Sequence, residues 1–184
     1  NICQGFGMDC NPELIAAAQN NTAKLGFSDR FALHTGELAD TRFLEKLRME
    51  ASPVQLVMAN PPWRLVGSGR LPATEARRKA LFGDKGTFPL FASAASSLLE
   101  EDGRFACIIS PDRLQDMLAA LNGAGLTPYL LQYIHKQKTS PATFVLIEAR
   151  KGAHAKPSVA EPIALYGPER FFTLESLAFC PFLR

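Results

Sequence analysis

A chain of 184 residues can bury one substantial core and is short for two full domains. Hydrophobic residues at 47% and charged residues at 21% exclude a disordered chain and little else, and a net charge of +2 is unremarkable in itself. No apolar run approaches the roughly 18 residues that a membrane helix needs, and no signal peptide is visible, so no membrane partner is expected. Four cysteines, Cys3, Cys10, Cys107 and Cys180, are scattered without a C-x-x-C pair or a histidine at ligand spacing. That pattern points to reduced thiols in a cytoplasmic protein and to no metal site.

The chain begins at Asn1 without a methionine and enters a strand almost at once, so an N-terminal part of a longer protein is expected to be missing. Residues 2–8 read as a short strand, in which Gly5 and Gly7 allow close backbone approach, ending at Asp9. The helix after it is well marked: Asn11 suits the N-cap, Pro12 the first helical position and Glu13 the positive end of the dipole. Leu14, Ala18 and Leu25 share a face, and Gly26 stops the helix. A strand at 30–34 leads through Gly36-Glu37 to a helix at 41–49, and the strand Val54–Ala59 comes next. From 64 to 86 there is no sustained period, only a short helical possibility at 74–81; a connection of this length is usually functional or disordered. Residues 88–99 form a helix with Leu90, Phe91, Ala94, Ala95, Leu98 and Leu99 on a broad apolar face, and Asp102-Gly103 turns into a strand at 105–110. Ser110-Pro111 caps a further helix carrying Leu114, Met117, Leu118 and Leu121, closed by Gly123 and Gly125. The runs 128–135 and 143–148 are joined too closely for a helical crossover and should pair antiparallel. From Lys151 the chain is Pro-rich, then apolar again at 171–182, and 153–184 reads as a tail packed on the body. The order predicts an α/β fold, a three-layer sandwich around a mostly parallel sheet with right-handed crossovers that ends in a hairpin.

Chemistry concentrates in Asn60-Pro61-Pro62-Trp63. Five of the six residues from Val54 to Ala59 are apolar, as in a central parallel strand covered on both faces. Pro61 and Pro62 have fixed φ and no N–H, so the strand must stop there in a stiff, extended turn. The carboxyl end of a central strand is where open α/β sheets bind ligands. Asn60 could accept a hydrogen bond from an amino group while a carbonyl of the Pro61-Pro62 segment accepts a second. Two acceptors on one NH₂ would fix it and hinder its lone pair from delocalising into a ring, which favours attack by nitrogen. Trp63 offers a stacking face for the same ring. The plain alternative is a strand-ending turn with a buried Trp. Asp9 could accept from a ribose diol or could simply assist the helix cap. Glu37 could accept from an exocyclic amine or be a surface acid in a turn. Between Arg64 and Lys85 stand six basic residues, Arg64, Arg70, Arg77, Arg78, Lys79 and Lys85, against Glu75 and Asp84. That is +4 in a chain of +2, so the remaining residues sum to −2. A polyanion approaching the turn would meet this excess.

These residues resemble class I S-adenosylmethionine-dependent methyltransferases of the Asn-Pro-Pro-aromatic kind. More narrowly, Asn60-Pro61-Pro62-Trp63 with its basic loop, Ile108-Ile109-Ser110-Pro111-Asp112-Arg113-Leu114 and Phe144-Val145-Leu146-Ile147-Glu148-Ala149-Arg150-Lys151-Gly152 are similar to the bacterial family that methylates N6 of adenosine 37 in the valine tRNA. The likeness covers roughly residues 2–152. It implies a Rossmann-like catalytic domain over 1–152, S-adenosylmethionine as cofactor and RNA, most closely tRNA, as partner. It matches Asp9 to the acid on the cofactor ribose and Glu37 to the acid near the cofactor adenine, with Asn60 beside the cofactor. Asn60 and Pro61 match the pair that grips the amine, and Trp63, where the family usually has Tyr, matches the stacking residue. The Gly-rich loop that such enzymes carry after their first strand would lie before Asn1, and Gly5-Phe6-Gly7 is no substitute for it. Arg64, Arg70, Arg77, Arg78 and Lys79 would hold phosphates beside a base displaced from its stack, and Lys136 and Lys138 extend the track. The implied transfer is direct, without a covalent intermediate or a metal.

Three other readings stay open. A protein glutamine amide or guanine N2 of ribosomal RNA presents the same NH₂ to Asn60. A non-catalytic RNA-binding domain that has lost the cofactor loop would keep the basic stretch alone. A Rossmann dehydrogenase is disfavoured, because no glycine fingerprint precedes a helix.

Overall fold

A computed structural model describes residues 4–51, 53–65, 73–152, 157–169 and 171–181. The chain divides into two compact units, Asn1–Pro53 and Val54–Arg184.

The first unit runs β1 (Gly5–Asp9), α1 (Pro12–Lys24), β2 (Phe31–Thr35) and α2 (Thr41–Ala51). The two strands pair in parallel from Gly5 opposite Phe31 to Asp9 opposite Thr35. A Cβ on Gly5 would stand 2.5 Å from the Phe31 ring, so only glycine lets that ring lie over the strand. α1 begins as its residues dictate: the Asn11 side chain accepts from the Glu13 N–H at 2.9 Å, and Pro12 occupies the first turn. The chain leaves it through Gly26 at φ 71. The inward face lies about one position round from the predicted one. It runs through Ile15, Ala18 and Thr22, and Leu14 and Leu25 are exposed. Asp40 caps α2, its Oδ1 accepting from the Arg42 and Phe43 N–H groups at 3.0 and 3.2 Å, and Leu44 and Leu47 turn inward.

The second unit runs β3 (Val54–Ala59), β4 (Arg64–Leu65), α3 (Glu75–Leu81), β5 (Phe82–Gly83), α4 (Thr87–Leu98), β6 (Leu99–Ile109), a 3₁₀ turn (Pro111–Arg113), α5 (Leu114–Gly123), β7 (Leu126–His135), β8 (Ala142–Lys151), β9 (Ser158–Val159), β10 (Ile163–Ala164) and α6 (Leu174–Phe179). Its main sheet has the order β10-β7-β8-β6-β3, with β9 also on β7. β3 and β6 are parallel, and the predicted hairpin β7–β8 is antiparallel. The returning strand β8 inserts between β6 and β7. Val145, Ile147 and Ala149 on β8 are all within 1% of full burial, whereas β7 carries half-buried Tyr129, Gln132 and Tyr133, so the more apolar strand takes the central place. The core joins Phe88, Ala92 and Ala95 of α4 and Met117 and Leu121 of α5 to Phe105 and Ile109 of β6.

Four local expectations are corrected here. Within the second unit, the described residues cover β3 on one face only. Val57 and Ala59 pack against the core, while Met58 is 76% exposed and, with Ala106, Ile108, Leu130, Leu146 and Phe179, lines a shallow apolar hollow on the other face. α4 buries Phe88 and Ala92 and leaves Leu90 exposed, because its inward stripe begins at Phe88. β6 starts at Leu99, so the Asp102-Gly103 pair interrupts the strand, with Asp102 at φ 63, and does not precede it. Ser110 makes no cap hydrogen bond to the backbone; its hydroxyl donates to the Asp112 carboxylate.

The last carbonyls of α4 lack helical partners, and Lys151 supplies one from β8, its Nζ donating to the Ser96 and Leu99 carbonyls at 2.9 and 2.8 Å. Beyond β8, β9 and β10 pair in parallel with β7, and Thr173 and Ser176 donate to the Ala164 and Leu165 carbonyls. Among the described residues no helix is long and apolar enough to cross a membrane. Cys10 is exposed, whereas burial of Cys107 pushes its thiol up to about 12 from an ordinary value of 9.0. The folded state therefore holds that proton more tightly than the unfolded chain, and the burial stabilises less as pH rises from 9.0 toward about 12. At pH 8, alkylation followed by peptide mass spectrometry should modify Cys10 in the native protein and reach Cys107 only after unfolding.

Candidate amine-binding corner

β3 stops at Ala59, and the next four residues differ sharply in burial. Asn60 is exposed, Pro61 is among the fully buried side chains, and Pro62 and Trp63 are half-buried. The buried proline anchors the segment, and its neighbour Asn60 lies at the surface with no hydrogen-bond partner among the described residues. The chain then enters β4, whose Arg64 and Leu65 pair in parallel with Phe82 and Gly83 of β5, closing the base of the segment between them. That closure needs glycine: a Cβ on Gly83 would meet the Pro62 carbonyl oxygen at 2.6 Å and Thr87 Oγ1 at 2.7 Å.

Trp63 is held from several sides. Its ring meets Phe144 of β8 edge-on, with centroids 6.3 Å apart, and the Arg64 guanidinium lies 5.3 Å from its centroid. The indole thus forms part of the core wall and already carries a cation on its ring. Its carbonyl accepts from Arg113 Nη1 at 2.7 Å. Nothing in the sequence alone marks Arg113 for a role. It is 4% exposed, donates through Nε to Asp116 Oδ2 at 2.7 Å, and lies 4.5 Å from the Phe88 ring centroid. The available signal was an arginine opening a helix three residues before an acid, directly after an apolar strand.

In the first unit Asp9 is half-buried at the carboxyl end of β1 and its Oδ1 accepts from the Asn11 N–H at 2.8 Å, so it does assist the helix start; Oδ2 has no partner among the described residues. Glu37 is exposed just beyond β2, two residues after the Thr35 that pairs with Asp9. In the second unit Arg77, Arg78 and Lys79 are exposed on α3, whose Thr74 cap accepts from the Arg77 N–H at 3.4 Å. Arg70 lies outside the described residues. Lys136 and Lys138 are exposed in the β7–β8 turn. Ala59 pairs with Cys107 and Ile109 with Val145, which places this turn at the same end of the sheet as Asn60–Trp63. The fold thus gathers Arg64, Lys136 and Lys138 at the sheet end that carries Asn60, with α3 joined to it through β4 and β5.

No family model matches the chain. Over 113 residues it is 32% identical to the tRNA1(Val) (adenine(37)-N6)-methyltransferase of Porphyromonas gingivalis, in each of two strains; the match covers 60% of this chain and 42% of that protein. The chain thus spans less than half the length of these relatives. Among solved structures, a predicted O-methyltransferase from Agrobacterium tumefaciens superposes with TM-score 0.69 at 17% identity, covering 95% of this chain and 86% of that one. The geranyl diphosphate C-methyltransferase of Streptomyces coelicolor, crystallised with Mg²⁺, geranyl diphosphate and S-adenosyl-L-homocysteine, superposes with TM-score 0.52 at 12% identity over 79% of this chain and 64% of that one. These likenesses establish the fold as the α/β, Rossmann-like fold of class I methyltransferases.

The tight approach at Gly83 gives a direct check on the corner's packing. Gly83→Ala should displace the Pro62 carbonyl and destabilise the protein by about 1–3 kcal/mol, seen as a lower urea midpoint with an unchanged m-value.

Proposed function

We propose that this chain is the catalytic part of an S-adenosylmethionine-dependent methyltransferase acting on an exocyclic amino nitrogen, namely N6 of adenine in an RNA such as tRNA. The observation that carries the reading is the exposed, unpartnered amide of Asn60 fixed at the carboxyl end of β3 by the buried Pro61. The match to the Porphyromonas gingivalis tRNA enzymes supports the choice of base and RNA, and the methyltransferase fold supports the cofactor.

The residues present fit that cofactor. Asp9 keeps one carboxylate oxygen available to a ribose diol, and Glu37 is an unengaged acceptor for an adenine amino group. When bound, S-adenosylmethionine supplies an electrophilic methyl group on a sulfonium. The protein's own part is positional. Asn60 Oδ1 accepts from the target NH₂, turns its lone pair out of conjugation and holds it for attack. A carbonyl of the Pro61-Pro62 segment accepts the second N–H of the same amine. Trp63 takes the base face, in competition with Arg64 for the ring. The proton released by the amine passes to solvent. An adenine in a single-stranded loop reaches such a corner at lower cost than one in a duplex. Arg64, Arg77, Arg78 and Lys79, with Lys136 and Lys138, hold the flanking phosphates, and Arg70 is assigned the same role from the sequence.

Asn60→Ala in the native protein should lower methyl transfer to RNA by about 100-fold or more while leaving cofactor affinity nearly unchanged. Labelled-cofactor assays against total tRNA, ribosomal RNA and a release factor check it, and a fully active variant contradicts the assignment. Replacing Arg77, Arg78 and Lys79 with Ala should weaken RNA binding and flatten its salt dependence by about 0.7 in log–log slope for each phosphate no longer neutralised. A binding titration across salt concentrations measures that slope.

A further inference from the structure

We propose that Arg113 is a positioning residue of the amine-binding corner, setting the placement of Trp63 and, through the stiff Pro-Pro link, of Asn60; its premise is that Asn60 is the amine acceptor. Pro61 and Pro62 bring no N–H, and residues 60–63 form neither a strand nor a hydrogen-bonded turn, so this link is held by its neighbours. Arg113 supplies one such hold from 50 residues along the chain, donating at 2.7 Å to the Trp63 carbonyl. The parallel pairing of β3 with β6 makes this possible, because the 3₁₀ turn after β6 emerges at the same sheet end as the tetrapeptide.

Arg113 is the one charged side chain buried among the described residues. Burying a guanidinium is costly unless its donors find partners, and the corner engages two of its nitrogens, with a carbonyl and a carboxylate, and sets the group over an aromatic face. Arginine suits the task because its planar fork reaches Trp63 through Nη1 and Asp116 through Nε at once. A brace that only joined α5 to the sheet could end on any carbonyl of β3. This one ends on the last residue of the tetrapeptide, whose ring is separately fixed by Phe144 and Arg64.

Trp63 is the only tryptophan in the chain, so its fluorescence reads the turn directly. The test compares the native protein with Arg113→Met, Arg113→Lys and a control, Lys151→Met. The control removes a different bridge between elements, from β8 to the end of α4. Arg113→Met should shift Trp63 emission to the red, raise its quenching by acrylamide and lower kcat for RNA methylation by about 10- to 100-fold. Its cofactor Kd should stay at the parent value. Arg113→Lys, which keeps a point donor without the fork, should recover part of both changes. Lys151→Met should lower the Tm without moving emission, quenching or kcat. Unchanged Trp63 emission and quenching in folded Arg113→Met overturns the assignment, as does an equal shift in the Lys151→Met control. Should Arg113→Met not fold, Arg113→Lys carries the same readouts, and parent-like values in it overturn the assignment. A native protein that transfers no methyl group overturns the premise about Asn60, while Trp63 emission still decides whether Arg113 holds the turn.

Discussion

Two consecutive prolines at the end of β3 make a stiff link without N–H groups of its own, and the arrangement around Asn60 follows from how neighbouring elements hold that link. Pro61 is fixed by burial, Pro62 by the close approach that Gly83 permits, and Trp63 by Arg113, Phe144 and Arg64. Each constraint comes from a different element: β5, β8, the 3₁₀ turn and β4. Asn60 has none of its own. The neighbouring residues place its backbone while its side-chain hydrogen bonds stay uncommitted among the described residues.

The same end of the sheet explains the spread of charge. A chain of nearly balanced composition concentrates its basic residues after β3 and in the β7–β8 turn. The parallel β3–β6 pair and the antiparallel hairpin bring Arg64, Lys136 and Lys138 to one end of the sheet. The acids proposed for the cofactor, Asp9 and Glu37, belong to the first unit, Asp9 at the end of β1 and Glu37 just beyond the adjacent parallel strand β2.

Much of this was legible in the sequence where the causes are local. The start of α1 follows from Asn11, Pro12 and Glu13, the cap of α3 from Thr74, and the hairpin from the short link before β8. Non-local causes were not legible. Nothing in the spacing of Val54–Ala59 reveals that one face lacks cover, and nothing in Pro128–His135 reveals that the following strand would take the inner place. Ser110 looks like a cap, but Asp112 competes for its hydroxyl from two residues away. Arg113 reads as an ordinary charged residue until the fold brings Trp63 to it from 50 residues away. The tetrapeptide itself was visible, but its buried and exposed halves were not.

Nucleoside mass spectrometry, after the native protein is incubated with tRNA and methyl-labelled S-adenosylmethionine, addresses the central claim most directly. The account predicts label on the exocyclic nitrogen of adenine, recovered as N6-methyladenosine. Label on a ribose oxygen or a ring carbon, or a complete absence of label from RNA, would contradict it.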